Sequence, residues 1–136
     1  MIENDESPPA ASAANARREL PFTEGSVWSI QFAQTKPGMT AEYLRNLGAG
    51  WTPLMDEAKR EGLILDYRVL VAPHVNRDDW DVMLMVEVRN MAALDGYQER
   101  MNDLAGRVSA GNAKQDCGQF RDLLGMKLVR EITLRK

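Results

Sequence analysis

Asp81-Val82-Met83-Leu84-Met85-Val86-Glu87-Val88 is the stretch from which the fold is read. Every residue from Val82 to Val86 is apolar, so the segment has no face suited to water. An apolar run of this length reads as a strand with both faces covered. It belongs at the centre of a sheet, and each of its faces needs a layer over it.

The flanks follow from that strand. Upstream, Ile64–Ala72 is rich in Leu, Val and Tyr and reads as a second strand. The polar stretch Pro73-His74-Val75-Asn76-Arg77-Asp78-Asp79 connects the two. Downstream, Asn90 is placed to cap a helix whose buried side carries Met91, Leu94, Tyr97, Met101, Leu104 and Val108. Earlier in the chain, Trp28, Ile30 and Phe32 alternate with Ser29, Gln31 and Ala33. That period of two predicts a strand over Ser26–Thr35, ended by the turn Lys36-Pro37-Gly38-Met39. Thr40 reads as the cap of a first helix, with Leu44, Leu47, Trp51, Leu54, Met55 and Ala58 on one apolar side. Pro53 lacks an N–H and predicts a kink or a restart there, and Gly62 predicts the stop. Near the C-terminus the spacing predicts a short helix over Ala113–Leu124, with Phe120, Leu123 and Leu124 inward and Gly125 as its stop. Lys127–Arg135 then reads as the last strand.

This order gives an α+β fold, ferredoxin-like βαββαβ, with an antiparallel sheet and helices on one face. Strands one and three are central. Strands two and four are edges, and their charges (Asp66 and Arg68; Lys127, Arg130, Glu131 and Arg135) discourage uncontrolled pairing. The helices cover one side of strand three. The simplest cover for the other side is a second copy of the sheet, which predicts a two-fold homodimer. Residues 1–24, with Pro8-Pro9-Ala10-Ala11-Ser12-Ala13-Ala14, are small, polar and aperiodic and read as a flexible tail ahead of one domain over 25–136. Leu20, Pro21 and Phe22 are the part of that tail suited to docking on a partner subunit.

Composition narrows the function classes. With 136 residues, 44% hydrophobic and 27% charged, the chain suits one domain with a single core. Its net charge of -3 offers no footprint for nucleic acid and no polybasic stripe for a membrane surface. No apolar run approaches the roughly 20 residues of a spanning helix. The acidic start Met1-Ile2-Glu3-Asn4-Asp5-Glu6 is not an export signal, so the expected compartment is the cytoplasm, or the periplasm if a signal has been removed. The single cysteine, Cys117, cannot form an internal disulfide and reads as a helix packing residue. Serine-hydrolase, phosphate-loop, dinucleotide and zinc-protease motifs are absent.

A long stretch resembles the dimeric α/β-barrel superfamily, nearest to an uncharacterised bacterial group within it. The resemblance is carried by Thr35-Lys36-Pro37-Gly38-Met39, Tyr43-Leu44, Trp51-Thr52-Pro53, Gly62-Leu63-Ile64-Leu65-Asp66-Tyr67, Asp79-Trp80-Asp81-Val82-Met83-Leu84 and Asn90-Met91-Ala92-Ala93-Leu94-Asp95. It implies the fold well and the function poorly. The wider superfamily includes cofactor-independent monooxygenases of aromatic polyketides, haem-degrading enzymes, muconolactone isomerases, small cyclases and stress-response proteins.

The candidate residues follow from their chemistry. Glu87 shares a strand face with Met83 and Met85, and a carboxylate on an apolar face is suited to general-base work; the plainer reading is a strand-end charge paired with Arg89 or with a charge on a neighbouring strand. Tyr43 and Tyr67 are candidate proton-managing groups. His74 is the only histidine, a candidate base or haem ligand set in a polar loop. Trp28 and Trp51, with Met83 and Met85, read as core packing or as the lining of a flat pocket, in which Gly48 and Gly50 would leave room. Asp78, Asp79 and Asp81 lack the spacing of a calcium loop, and no metal or cofactor is expected. The leading expectation is a homodimer binding a small apolar or aromatic molecule, with or without cofactor-independent oxygenation, isomerisation or cyclisation. A non-catalytic stress-related or interaction protein and a haem-binding enzyme are the alternatives.

Overall fold

The computed structural model describes residues 19–73, 76–108 and 117–136. Its elements are β1 (Phe22–Thr35), α1 (Thr40–Asn46), a π-helical turn (Leu47–Trp51), α2 (Thr52–Arg60), β2 (Asp66–Val71), β3 (Val82–Val88), a 3-10 turn (Met91–Leu94), α3 (Tyr97–Val108), a second 3-10 turn (Cys117–Gln119) and β4 (Arg121–Leu134). The fold is α+β, a four-stranded antiparallel sheet with helices on one side, compatible with the ferredoxin-like expectation. Among the described residues no helix is long and apolar enough to cross a membrane.

The strand order is β2-β3-β1-β4. β3, the most apolar strand with six apolar residues in seven, and β1 therefore take the centre. β1 meets β3 from Val27↔Val88 to Ala33↔Val82, and β3 meets β2 from Asp66↔Glu87 to Val71↔Val82. Because successive side chains alternate between faces, Val27, Ser29, Gln31 and Ala33 face the helices together with Val82, Leu84, Val86 and Val88. Trp28, Ile30 and Phe32 fall on the opposite face with Met83, Met85 and Glu87.

Local chemistry explains most element ends. Asn90 caps the 3-10 turn, its side chain accepting from the Ala93 N–H at 3.0 Å. Gly62, at φ 79°, closes α2 in a Schellman arrangement. There the Leu63 N–H donates to the Ala58 carbonyl at 2.9 Å and the Gly62 N–H to Lys59 at 3.1 Å. The stretch around Pro53 does not break the helical path. A π turn takes up the missing N–H, and α2 begins with Pro53 in its first turn, where a proline costs nothing.

Three expectations are corrected. Thr40 does not cap α1, because its hydroxyl bonds Thr35 Oγ1 at 2.7 Å across the turn instead. Residues 22–24 are not tail: Phe22, Thr23 and Glu24 pair with Leu134, Thr133 and Ile132, so β1 starts at Phe22. The helix expected over Ala113–Leu124 does not reach Leu124. Residues 109–116 lie outside the described set, and from Arg121 the chain is already strand, with Leu123 opposite Ala33. The reason is tertiary. The outer edge of β1 presents unpaired N–H and C=O groups all the way to Thr35, and pairing them outweighs a helical spacing only a few residues long. Two irregularities absorb the mismatch along this ladder, at Glu24/Val27 and Phe32/Ala33. At the first, Gly25 lies so close to the Glu131 carbonyl that a Cβ would sit 3.1 Å from its oxygen.

The core has two parts on the helix side. One gathers Val27, Met55, Ala58, Ile64, Val88, Met101 and Leu104. The other gathers Ala33, Tyr43, Leu47, Val82 and Leu84, and Trp51 packs against both.

Candidate functional site: a cavity between the sheet and the helices

β1 is a central strand, yet two of its helix-facing residues, Ser29 and Gln31, are polar. They are too short or too hydrophilic to fill the space that a leucine or phenylalanine would fill there. Above them the layers do not close, and a cavity of about 520 Å³ remains. Ser29, Gln31, Leu84 and Val86 form its floor. Trp51, Leu54 and Met55 form one wall, and Tyr97, Met101 and Ala105 of α3 form the roof. Met126 and Leu128 of β4 border its open side, and both are substantially exposed. The size and the mostly apolar lining are those of a small-molecule site.

The polar groups inside are few. Gln31 makes one weak contact, Nε2 to the Met126 sulfur at 3.9 Å. The Ser29 and Tyr97 hydroxyls hydrogen-bond nothing among the described residues. On α3, Gln98 Nε2 donates to Asn102 Oδ1 at 3.0 Å, so these two amides satisfy one another. Among the described residues no carboxylate lines the cavity. Lys127 borders it through β4, but it pairs with Ile30 and strand alternation turns its ammonium to the opposite face. Burial pushes the Tyr97 phenol above the usual tyrosine range, so it keeps its proton and can offer it in a hydrogen bond.

Trp51 is held in place from behind. Tyr67 meets it edge to face, centroids 5.4 Å apart at 89°. Tyr67 in turn donates to Asp56 Oδ1 at 2.5 Å. That hydrogen bond, with burial second, pushes the Tyr67 phenol up to about 12. Tyr67 does not line the cavity, so it is a support for Trp51 rather than a wall.

The residues singled out in the sequence are therefore divided between two faces. Trp51 lines the cavity and Tyr67 backs it. Trp28, Met83, Met85 and Glu87 are on the other face of the sheet. Glu87 there accepts from the Ser26 hydroxyl at 2.5 Å. The Trp28 indole N–H donates to Glu131 Oε1 at 3.0 Å, with the Arg68 guanidinium 5.5 Å from its ring. Tyr43 is buried in the second core group, where Arg121 lies 5.9 Å from its ring and donates to its phenol oxygen at 3.4 Å. His74 lies outside the described residues. Gly48 and Gly50 do not line the cavity; the room comes from Ser29 and Gln31 instead. Asp81 is buried and accepts from the Thr35 N–H at 2.8 Å, which uses it structurally. Among the described residues no three His, Cys, Asp or Glu side chains gather as a metal site.

Sequence reasoning missed Ser29 and Gln31, and placed Tyr97 on the buried side of its helix without choosing it among the site residues. One signal was available: polar residues facing the covered side of a central strand imply that the cover above them is incomplete. No protein-family model matches the chain, and no curated protein is similar to it.

Proposed function

We propose that this chain binds a small apolar or aromatic molecule in the cavity between its sheet and its helices, and that it works as a homodimer joined through the other face of the sheet. The observation that carries the binding reading is an apolar cavity of about 520 Å³ built over two unspent polar groups on a central strand. Trp51, braced by Tyr67, is a rigid aromatic wall for a flat ligand. The catalytic form of the reading, a cofactor-independent oxygenation, isomerisation or cyclisation, would rest on orientation and exclusion of water, with Tyr97 as the proton donor in reach. Glu87 is on the wrong face to serve that cavity.

The dimer reading rests on the uncovered face. Ile30, Phe32, Leu70, Met83 and Met85 lie on it together, and among the described residues the helices are all on the opposite side. A contiguous apolar patch of that kind marks an interaction surface. A second copy brings an identical face, and the charges at the patch's end, Arg68, Glu87, Glu131 and Lys127, include both signs and can pair across a two-fold axis.

Calorimetry with naphthalene tests the first half: saturable binding is expected, weakened at least tenfold by a large residue at the roof, and no heat at the solubility limit refutes it. Sedimentation at micromolar concentration tests the second: a species of twice 15.3 kDa is expected, reverting to one chain in Ile30→Lys, and a single-chain species in the unaltered protein refutes it.

A further inference from the structure

The floor of the cavity points to the class of ligand, an inference that rests on the binding reading above. We infer that Ser29 and Gln31 select an uncharged ring system carrying a hydroxyl or carbonyl group, in preference to both the bare hydrocarbon and the carboxylate.

Three observations lead there. First, Ser29 and Gln31 stand two apart on one face of β1, so their side chains project side by side from a rigid, doubly flanked strand. A site on a central strand is held more firmly than one on a loop. Second, both groups are unspent. The Gln31 amide has two donors and one acceptor, and among the described residues its only hydrogen bond is to a sulfur at 3.9 Å, at the far limit for such a bond, while the Ser29 hydroxyl has none. Half-buried polar groups left in this state gain whatever hydrogen bond a ligand supplies. An amide beside a hydroxyl offers donors and acceptors together, which matches a phenol or a ketone. Third, the cavity gives a charge nothing to pair with. Among the described residues its lining has no carboxylate, and the one lysine there, Lys127, starts its side chain toward the other face by strand alternation. A carboxylate drawn into this apolar space would lose its hydration without a counter-charge. The wall beside the polar pair, Trp51 with Leu54 and Met55, suits the flat apolar body of such a ligand.

The test is calorimetry of the intact chain at neutral pH with naphthalene, 1-naphthol and 1-naphthoate. One neutral hydrogen bond predicts that 1-naphthol binds about three- to tenfold more tightly than naphthalene, with 1-naphthoate weaker than both. Gln31→Met keeps the length of the side chain and removes its polar atoms. In Gln31→Met combined with Ser29→Ala, naphthalene affinity is retained or improved and the preference for 1-naphthol disappears. Far-ultraviolet circular dichroism and the naphthalene titration together establish that the variant is folded with its cavity intact. A variant that fails this check is replaced by Gln31→Met alone, for which the preference must fall at least by half.

The inference is overturned if naphthalene and 1-naphthol bind the unaltered chain equally, if 1-naphthoate matches 1-naphthol, or if the preference survives in the folded variant. In those cases binding in the cavity itself still stands. If none of the three compounds binds, the cavity reading fails and takes the inference with it.

Discussion

Ala105→Phe asks whether the space over Ser29 and Gln31 is a cavity at all. Ala105 is half-buried in the roof, one turn beyond Met101 on α3. A long side chain on a helix leans toward the preceding turn, which here means over Met101 and Asn102, both of them cavity-lining. Fully burying a phenylalanine stabilises by about 1.5–3 kcal/mol. For a half-buried position next to an open space of about 520 Å³, roughly 1 kcal/mol of net stabilisation is expected. If α3 instead closes onto the sheet in solution, the same ring has nowhere to go, and overpacking costs about 1–3 kcal/mol. The two outcomes differ in sign. Urea unfolding followed by tryptophan fluorescence, at one fixed protein concentration because a dimer's stability depends on it, reads the difference directly. Naphthalene affinity should fall at least tenfold in the same variant. A variant destabilised by more than about 1 kcal/mol and binding naphthalene unchanged would refute the cavity and everything built on it.

Further outcomes follow from other contacts. Asp81 and Thr35 are each 4% exposed, and the carboxylate accepts both the Thr35 N–H and its hydroxyl. Asp81→Ala strands that N–H in the interior and should cost about 2–4 kcal/mol, with Asp81→Asn losing less than half of it; a urea midpoint unchanged in Asp81→Ala would contradict this. Removing the Asn90 cap with Asn90→Ala should cost about 1 kcal/mol, read in the same assay, and no change would mean that the turn is held by its packing alone. Tyr67 has its phenol raised from 10.0 to about 12 by Asp56, so the stability this pair adds is present below pH 10 and lost as pH rises through about 12. In Asp56→Asn the ultraviolet titration of that phenol should move back toward its ordinary value; a titration already ordinary in the unaltered protein would show that the hydrogen bond is not held in solution.

Several elements are legible from residues close together in the chain. β3 can be read from five consecutive apolar residues, and the closure of α2 from Gly62, because a positive φ is a local requirement that few other residues meet. The apolar side of α1 and α2 is local in the same sense, since a helix reports its own periodicity, and so is the cap at Asn90, although the helix expected to run on from it is broken at Gly96 (φ 68°) into a 3-10 turn and α3. β4 is different. Whether residues 121–124 coil or extend depends on the open edge of β1, nearly ninety positions away in the chain. No spacing within β4 records that edge.

The site divides along the same line. The residues themselves show that Trp28, Ile30 and Phe32 share one face of β1 and that Ser29 and Gln31 share the other, because alternation in a strand is geometric. They do not show which face the helices cover. A serine and a glutamine alternating with aromatics look like an ordinary wet face until a layer is placed over them, and the layer comes from distant residues such as Trp51, Tyr97 and Ala105. Packing α2 and α3 against that side turns an unremarkable polar pair into the floor of a cavity. It leaves Glu87, Met83 and Met85, the residues that chemistry alone brings to notice, on the far side of the sheet.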